Sequence, residues 1–377
     1  MVSTRSVGSE AINGANLYGY HMGLGTLFSY VDGSEYKDIM GAWDWNLVPG
    51  TTTLLNWPDV KTTHAGFSGK KDFVGVVSDG SVGTAVQDFI DPHDSSLSYR
   101  KAWFFLDDSV LVTTSNVQIS NSVSGVADTP VITVLDNRAA DGGPAYVDGK
   151  TVSISPGGST WKGKTLFYGG NGYLSYHDDF SLTVSLGERT GNWSAISTST
   201  AGLTTASIFS AYATIPHNSY TYAFFPATSQ HRLAQEMKAP TSVPVSGDGI
   251  MGVAGAGKLS LVFWPGGETS ITVDFAKIEW GHSGSITVTS EQPGAYLLSR
   301  DRGRTGKGTK LVVTVSDPTQ KASSASFSLT FNGLKVKPRN ADPDISVSAT
   351  GDEAKFDLQL PSGGFAGSSI SREVQLE

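Results

Sequence analysis

The sequence predicts an all-β protein, in which a large antiparallel sheet domain is followed by a small β-sandwich. Three observations support this class. The 377 residues include 44 Gly and 16 Pro, a content typical of many strands joined by tight turns. Short apolar runs rich in Val, Ile, Phe, Tyr and Thr recur along the whole length. Helical periodicity is scarce, and the best candidate, residues 230–238, is only about two turns long.

The predicted strands follow from these runs and from the residues that bound them. Several runs alternate polar and apolar side chains with period two, which indicates strands with one buried face. Asp-Gly and Gly-Gly pairs predict hairpin turns between them, because a positive φ costs Gly little. The runs lie at residues 73–77, 101–106, 109–114, 131–135, 182–186, 220–225, 258–263, 285–289 and 311–315. The turn pairs are Asp32-Gly33, Asp79-Gly80, Asp148-Gly149 and Gly169-Gly170.

Two further segments carry weaker local patterns. Residues 34–40 predict a second short helix, and the Gly-rich, apolar stretch 243–258 fits either a hairpin or a loop. The amino-acid composition changes near residues 280–284. After this point the sequence is richer in Ser and Thr, and its predicted strands are shorter. We therefore place a domain boundary there, with the large sheet domain over 1–280 and the small β-sandwich over 281–377.

Composition excludes several classes of function. Acidic residues outnumber basic ones, 35 to 27, which gives a net charge of −8. This balance argues against nucleic acid or an anionic membrane as a partner, because neither finds a basic face to neutralise. The chain has no cysteine, so disulfides, thiol catalysis and Cys-ligated zinc are excluded. No apolar leader opens the sequence. We therefore expect a cytosolic protein as the sequence stands, or an extracellular one if the chain is a processed fragment.

The polar N-terminal segment is the candidate functional region. Polar side chains this dense do not make the core face of a strand, so they form either an exposed strand with turn-capping Asn residues or a carbohydrate cleft. In a cleft, aromatic faces stack on sugar rings, amides bond hydroxyls, and Arg pairs with an acidic sugar. No two of the seven histidines stand four residues apart, and we expect neither a metal nor a cofactor. The candidate substrate-binding residues are Arg5, Asn16, Tyr20, Trp43 and Trp45.

The same segment opens a series of motifs that resembles polysaccharide lyase family 8, which contains hyaluronate, chondroitin AC and xanthan lyases. The series covers nearly the whole chain in the family's order, and no single motif in it is decisive. Its first motifs are Ser3-x-Arg5, Glu10-x-x-Asn13-x-x-Asn16-x-x-Gly19, Trp43-x-Trp45 and Pro49-Gly50-Thr51-Thr52. Later ones are Lys101-Ala102-Trp103-Phe104-Phe105, Glu188-Arg189-Thr190-Gly191-Asn192-Trp193 and Ser316-Asp317-Pro318-Thr319-Gln320.

The resemblance implies a fold and a chemistry. The fold is a central β super-sandwich of the galactose-mutarotase type followed by a C-terminal β-sandwich, which the family joins to an N-terminal α/α-toroid that this chain does not resemble. The chemistry is β-elimination on a uronate-containing polysaccharide. Most catalytic groups of the family belong to the toroid, so this chain alone is expected to be inactive. The catalytic residues that the motif implies here are Glu10 and Asn13, which orient and charge the toroid's groups.

Two departures from the family pattern keep other interpretations open. Ala15 and Leu24 stand where the family commonly has acidic residues. One interpretation is the β-portion of a lyase that works with a separate helical chain, with Met1 near the end of the family's linker. The alternative is a non-catalytic carbohydrate-binding, lectin-like or partner-binding protein derived from the lyase β-domains. A sugar mutarotase is the weakest option, because only the fold type supports it.

Overall fold

The computed structural model describes residues 16–57, 68–178, 181–215, 218–301, 309–338 and 342–376. These residues form antiparallel sheets with few helical turns, which confirms the all-β prediction. Within the same ranges, no helix has both the length and the apolar character needed to cross a membrane.

The first thirteen strands are β1 (Thr52–Leu54), β2 (Val74–Ser78), β3 (Gly83–Ile90), β4 (Leu97–Phe105), β5 (Val110–Ile119), β6 (Val131–Ala139), β7 (Tyr146–Val147), β8 (Lys150–Thr151), β9 (Ser159–Lys162), β10 (Thr165–Tyr168), β11 (Asn171–Ser175), β12 (Ser181–Asn192) and β13 (Leu203–Thr214). The remaining strands are β14 (Tyr220–Phe225), β15 (Ser242–Gly247), β16 (Ile250–Gly255), β17 (Lys258–Phe263), β18 (Ser270–Asp274), β19 (Ser285–Ser290), β20 (Gly294–Asp301), β21 (Thr309–Ser316), β22 (Ser324–Asn332), β23 (Val336–Pro338), β24 (Ile345–Val347), β25 (Glu353–Gln359) and β26 (Ile370–Leu376). They form four sheets, with the strand orders β1-β6-β13-β12-β9, β2-β3-β4-β5-β14-β11-β10-β7-β8, β15-β16-β17-β20-β21-β26-β23 and β18-β19-β22-β25-β24.

The helices are short. They are α1 (Trp193–Ile196), α2 (Gln230–Lys238) and α3 (Phe275–Ile278), with 3₁₀ turns at Gly19–Gly23, Ser34–Tyr36 and Gly363–Phe365. The predicted helix over 230–238 is confirmed as α2. Its N-cap is Ser229, whose hydroxyl accepts from the Arg232 amide. The prediction of a helix over 34–40 is wrong, because only a 3₁₀ turn at Ser34–Tyr36 forms there. The Glu35 carboxylate folds back to accept backbone N–H bonds from Val31 and Gly33, which favours a local turn.

The chain divides into two compact units. Unit 1 is formed by residues 1–72, 87–101 and 112–239, and unit 2 by residues 73–86, 102–111 and 240–377. Strands β15 to β17 belong to unit 2, because β17 pairs with β20 and extends the seven-stranded sheet. The domain boundary between residues 280 and 281 stays a prediction. In the structure, the last segment of unit 1 ends at Ala239, and residues 240–377 belong to unit 2.

The larger apolar cluster of unit 2 includes strands that alternate strictly between buried and less buried side chains. In β19 and β22, every second side chain is buried, as the period-two pattern of the sequence predicts. At its centre the rings of Phe327 and Phe356 stack with centroids 4.6 Å apart. Trp280 is buried in the same cluster and stacks on Phe275. Burial of this apolar surface is the main source of stability for the unit.

Unit 1 contains the five-stranded sheet that carries the candidate site. The long hairpin of β12 and β13 pairs over twelve residues, from Ser181 opposite Thr214 to Asn192 opposite Leu203. Because side chains alternate, the odd-numbered residues of β12 share one face with the even-numbered residues of β13. β6 pairs with the other side of β13, with Asn137 opposite Ser210. This face holds polar side chains and glycines in place of a continuous apolar surface.

Candidate functional site

A short segment, residues 41–47, lies across that face of the five-stranded sheet. The indole Nε1 of Trp43 donates to the carbonyl oxygen of Asn137, at 2.9 Å. In return, Asn137 Nδ2 donates to the carbonyl oxygens of Asp44 and Leu47, at 3.0 and 2.9 Å. Asn137 is fully buried, and these three bonds satisfy its backbone carbonyl and its side-chain nitrogen in place of water. They fix the segment to the middle of the sheet.

The start of the segment touches the sheet backbone directly. A Cβ at Gly191 would lie 1.8 Å from the carbonyl oxygen of Gly41, which no side chain tolerates. On the other strand, a Cβ at Gly41 would lie 2.7 Å from Thr204 Cγ2. The two glycines therefore permit an approach that any larger residue would prevent.

Two cavities flank the segment on the sheet face. Cavity A has a volume of about 470 Å³ and is lined by Tyr18, Gly41, Ala42, Trp43, Asp44, Trp45, Asn46, Arg189, Thr190 and Gly191. Cavity B has a volume of about 300 Å³ and is lined by Asp44, Leu47, Leu55, Asn56, Pro156, Gly157, Gly158, Thr183, Ser185, Gly187, Glu188, Arg189, Ile208 and Tyr212. Both volumes fall within the range of small-ligand sites, about 300–1,000 Å³.

An ion pair stands between the two cavities and lines both. Arg189 Nη2 donates to Asp44 Oδ2 at 3.1 Å. The other carboxylate oxygen of Asp44 accepts from the Asn46 amide at 3.1 Å. The Arg189 side chain is 43% exposed, so the pair is open to water and contributes little to stability. A guanidinium has five N–H donors. The guanidinium of Arg189 is partly open to solvent and borders both cavities, so it has donors left for a ligand.

Trp43 and Trp45, two of the predicted substrate-binding residues, are brought together in the wall of cavity A. Their rings meet edge to face with centroids 5.0 Å apart. Trp45 Nε1 donates to the carbonyl oxygen of Met40. Only 6% of Trp43 and 9% of Trp45 is exposed, so each presents an edge to the cavity and buries most of its ring. Their assignment as substrate contacts stays a prediction.

Asn16 and Tyr20, the other two predicted residues in the described ranges, lie close to this site along the chain. Asn16 Oδ1 accepts from the amide of Tyr18, a cavity A residue. Tyr20 is fully buried, and its hydroxyl donates to Asp91 Oδ2 at 2.5 Å. Burial, and secondly the Asp91 carboxylate, raises the pKa of Tyr20. In this position Tyr20 holds its turn against Asp91, and its role in binding substrate stays a prediction.

His21 follows Tyr20 and was not among the expected site residues. Its ring is fully buried, and neither ring nitrogen has a hydrogen-bond partner. Burial lowers the pKa of His21 to about 4, although the Asp44 carboxylate acts in the opposite direction. The side chain is therefore a neutral imidazole near the acid that borders both cavities.

The remaining predicted site residues, Arg5, Glu10 and Asn13, lie outside the described residues. Sequence reasoning did not assign Asp44 or Arg189 to the site. Two features of the sequence could have indicated them. Arg189 belongs to one of the motifs that resemble the family, and Asp44 lies between the two candidate tryptophans. Within the described ranges, no group of three His, Cys, Asp or Glu side chains is placed to hold a metal ion.

Comparison with known families shows which family the chain belongs to. The model of the polysaccharide lyase family 8 super-sandwich domain matches residues 1–237. The model of the family's C-terminal β-sandwich domain matches residues 253–326. The chain belongs to polysaccharide lyase family 8. The predicted order of a super-sandwich followed by a C-terminal β-sandwich is thereby confirmed.

Curated members of family 8 align with most of the chain at low identity. Chondroitinase-AC of Pedobacter heparinus is 24% identical over 379 residues, covering 98% of this chain and 48% of that protein. Xanthan lyase of Bacillus sp. is 26% identical over 400 residues, covering 100% of this chain and 39% of that protein. Hyaluronate lyase of Staphylococcus aureus is 29% identical over 208 residues, covering 53% and 24%. The chain spans less than half the length of each of these relatives.

Solved structures of family 8 members share the fold. Paenibacillus xanthan lyase superposes with a TM-score of 0.81 at 21% identity, covering 100% of this chain and 35% of that one. A chondroitinase AC lyase studied in complexes with oligosaccharides has a TM-score of 0.77 at 22% identity, covering 98% and 50%. At these identities the likeness shows the fold alone.

Proposed function

We propose that this chain is the β-portion of a family 8 lyase that acts on a uronate-containing polysaccharide by β-elimination. The observation that supports this most is the pair of cavities on the face of a family 8 super-sandwich, with Arg189 at the border between them. The names of the relatives point to chondroitin, xanthan and hyaluronate as polymers of the matching class. A helical toroid region, in the same protein or in another chain, would supply most of the catalytic groups.

The reaction sets clear demands on the site. A base removes the proton at C5 of the uronate, and electrons of that C–H bond form the new C4–C5 double bond as the C4–O bond breaks. An acid protonates the departing oxygen, so charge and atoms balance. The intermediate carries a second negative charge next to the uronate carboxylate, which must be neutralised by hydrogen-bond donors.

Cavity A offers groups for binding such a sugar. The Arg189 guanidinium can donate to a carboxylate while it keeps its bond to Asp44, because one bond occupies only one of its five donors. Tyr18 is a further polar residue of the same wall. Glu10 and Asn13 are proposed to orient and charge the toroid's catalytic groups, as the family motif implies.

One observation favours the alternative, a non-catalytic carbohydrate-binding protein. Leu24 is only 2% exposed and belongs to the core, at a position where the family commonly has an acid. The acidic residues among the lining are Asp44, which is paired with Arg189, and Glu188, whose side chain belongs to the opposite face of β12. The described lining thus provides binding groups and no evident pair of acid and base.

An elimination assay separates the two proposals. The protein is purified from its own source and incubated with hyaluronan, chondroitin and xanthan, and the ultraviolet absorbance of the unsaturated uronide is followed. The lyase proposal predicts product, and predicts that Glu10→Ala and Asn13→Ala reduce kcat by about a hundredfold or more with unchanged folding. Glu353→Ala, a partly exposed acid of unit 2, is the matched control and should keep full activity.

Each other outcome has a definite meaning. Retention of the protein in a polysaccharide-containing gel without any product would support the carbohydrate-binding alternative. Product formation that is unaffected by Glu10→Ala and Asn13→Ala would contradict the roles that the motif assigns to them. If the protein is not retained in the gel and forms no product, both proposed functions are excluded.

A further inference from the structure

The α2 pocket, a small hollow between helix α2 and the nine-stranded sheet, lies within unit 1. Its lining includes Tyr146, Asp148, Phe167, Gln230, Ala234 and Met237, and it shares no residue with cavity A or cavity B. Its volume is about 60 Å³, well below the roughly 300 Å³ of the smallest whole-ligand sites. A water molecule takes up about 30 Å³ of the liquid. The α2 pocket therefore has room for one small chemical group and not for a sugar ring.

Apolar side chains form most of the α2 pocket. Phe167 is half-buried and packs against a buried apolar cluster that contains Leu233. Tyr146 lies opposite Phe167 in the register of β7 and β10, and the two rings are 6.1 Å apart with their planes inclined by 57°. Met237 lines the pocket from α2 and is 38% exposed. A methyl group that enters this surface loses contact with water, which is favourable.

Asp148 adds a carboxylate to the lining. Its Oδ1 accepts from the amides of Lys164 and Thr165, at 2.8 Å each, and from the Thr165 hydroxyl at 3.2 Å. Because side chains alternate along β10, Thr165 points to the same face as Phe167, so the carboxylate lies on the pocket side of the sheet. Among the described residues no donor reaches Oδ2. This oxygen can accept a hydrogen bond from a ligand.

Gln230 supplies the complementary donor. It is the first residue of α2 and belongs to the lining. Within the described ranges its side-chain amide has no hydrogen-bond partner, so its N–H groups can donate to a carbonyl oxygen. The α2 pocket thus combines an apolar surface, an acceptor and a donor. An acetamido group has the matching parts, which are a methyl, an N–H and a carbonyl.

An ammonium group fits the α2 pocket less well. Three donors on Oδ1 already stabilise the charge of Asp148. A cation would also lose its water against Leu233 and Met237, and that loss costs free energy. An acetamido N–H needs only one acceptor, and its methyl group gains from burial at the same surface.

We propose that the α2 pocket is an accessory carbohydrate site, which anchors an N-acetylated amino sugar by its acetamido group. The sugar ring lies outside the pocket, against the half-buried ring of Tyr146. The proposal goes beyond the proposed function and is independent of it, because no residue of the α2 pocket has a part in that function.

The methyl group of Met237 reports on the pocket directly. The chain has five methionines, so a sample with ¹³C-labelled methionine methyl groups gives few NMR signals, and Met237→Leu identifies the signal of Met237. The sample is titrated with three methyl glycosides of one hexose that carry an acetamido, a hydroxyl or an ammonium group at C2. We expect only the acetamido probe to shift the Met237 signal, with a Kd of about 1–10 mM because one small group is anchored. The signal of Met251, a buried residue of unit 2, should stay in place.

Ala234→Leu should abolish this shift. Ala234 is an exposed residue of α2 that lines the pocket, so the larger side chain fills the hollow at a position where leucine is compatible with a helix. Gln235→Leu is the matched control. It adds a leucine at the neighbouring exposed position, outside the lining, and should keep the shift.

Asp148→Asn tests the acceptor without filling the pocket. Asn tolerates the left-handed backbone of residue 148, where φ is 49°. The Lys164 and Thr165 donors require the oxygen of the new amide, so its NH₂ group takes the place of Oδ2. We expect the Kd for the acetamido probe to rise about tenfold, because an acceptor is replaced by a donor. This variant keeps the proposal testable if Ala234→Leu fails to fold.

Several results would overturn the proposal. They are a Met237 signal that does not move with the acetamido probe, equal shifts with the acetamido and hydroxyl probes, and a shift that persists in Ala234→Leu or is undiminished in Asp148→Asn. Tighter binding of the ammonium probe would also overturn it, and would make the pocket a cation site. A shift that is specific to the acetamido probe, lost in Ala234→Leu and kept in Gln235→Leu would support it. The proposed function is tested separately by the elimination assay.

Discussion

Unit 1 and unit 2 bury charge very differently. Among the described residues, the charged side chains buried in unit 1 are Glu35, Asp91, Lys101, Asp136, Arg138 and Glu236, whereas unit 2 buries only Asp317. Asp317 caps a turn, where its carboxylate accepts the Thr319 and Lys321 amides. A buried charge costs stability unless it is paired or bonded. The contrast indicates that unit 1 carries constraints beyond stability, and the cavities lie on that unit.

Removing one partner of the buried ion pair in unit 1 should have the largest effect. Arg138 Nε donates to Asp136 Oδ1 at 2.7 Å, and Tyr173 donates to the other oxygen at 3.0 Å. Asp136→Ala would leave the Arg138 cation buried without its counter-charge, so we expect a loss of about 3–5 kcal/mol in the free energy of unfolding. Urea denaturation measures it.

The matched experiment uses an exposed pair of unit 2. Lys310 Nζ lies 2.9 Å from Glu373 Oε1, with both side chains about one-third exposed. Glu373→Ala should cost less than about 1 kcal/mol. Losses of equal size in the two variants would remove the distinction between the units.

The buried His21 should make unit 1 sensitive to acid. Its pKa is lowered from 6.5 to about 4 on folding, so the unfolded chain takes up a proton at higher pH than the folded chain. Stability therefore falls as the pH falls from 6.5 towards 4, by about 3 kcal/mol for this group. Burial raises the pKa of Asp91, which acts in the opposite direction.

His21→Phe isolates this contribution. Phenylalanine keeps a ring against Tyr20, which His21 meets edge to face at 5.1 Å, and it has no titratable group. The difference in stability between the variant and the original chain should grow as the pH falls from 6.5 to 4. Stability curves that run parallel over this range would contradict the assignment.

Gly191→Ala should displace the segment that separates the cavities. The added methyl group would collide with the carbonyl oxygen of Gly41, and overpacking of this kind costs about 1–3 kcal/mol. Retention in a polysaccharide-containing gel should fall as well, because cavity A loses its shape. Gly157→Ala, at an open position in cavity B, is the control and should change stability by less than about 0.5 kcal/mol. Unchanged retention in Gly191→Ala would show that this segment does not shape the site.

Arg189→Gln should have the smallest effect on stability and a clear effect on binding. The Asp44 pair is exposed, so its loss should cost under about 1 kcal/mol. Binding of an acidic oligosaccharide should weaken about tenfold, because a charge-assisted contact is lost. Arg372→Gln, which removes a bond to Asp344 in unit 2, is the matched control. Equal affinities in the two variants, measured by calorimetry, would exclude Arg189 from the site.

The same contrast explains what the sequence could predict about the fold. Alternation predicted β19, because only one of its faces is buried. β17 is buried on both faces and was predicted from its continuous apolar run instead. Three of the four predicted turn pairs join consecutive strands, and at Asp148-Gly149 and Gly169-Gly170 both residues have positive φ. Asp32-Gly33 instead precedes a 3₁₀ turn, since Asp32 bonds the Ser34 amide and hydroxyl. The Gly-rich stretch after residue 243 forms the hairpin of β15 and β16.

The candidate site was harder to predict. Trp43 and Trp45 were predicted to bind substrate from their sequence motif, which could not show that packing against the sheet buries most of both rings. Arg189 reaches Asp44 across 145 residues of sequence, and no local pattern reports such a contact. β6 is buried at eight successive residues and has no period-two pattern, so periodicity could not reveal the buried pair of Asp136 and Arg138 either.

The most direct test of the account is hydrogen–deuterium exchange of this chain with and without a chondroitin tetrasaccharide. The account predicts slower exchange in peptides that cover residues 41–47 and 187–191, because these segments line both cavities and a bound sugar would shield them. Peptides from residues 309–338 of unit 2 serve as an internal reference and should be unaffected. Slower exchange confined to unit 2, or no change in either unit, would contradict the claim that this sheet face binds the polysaccharide.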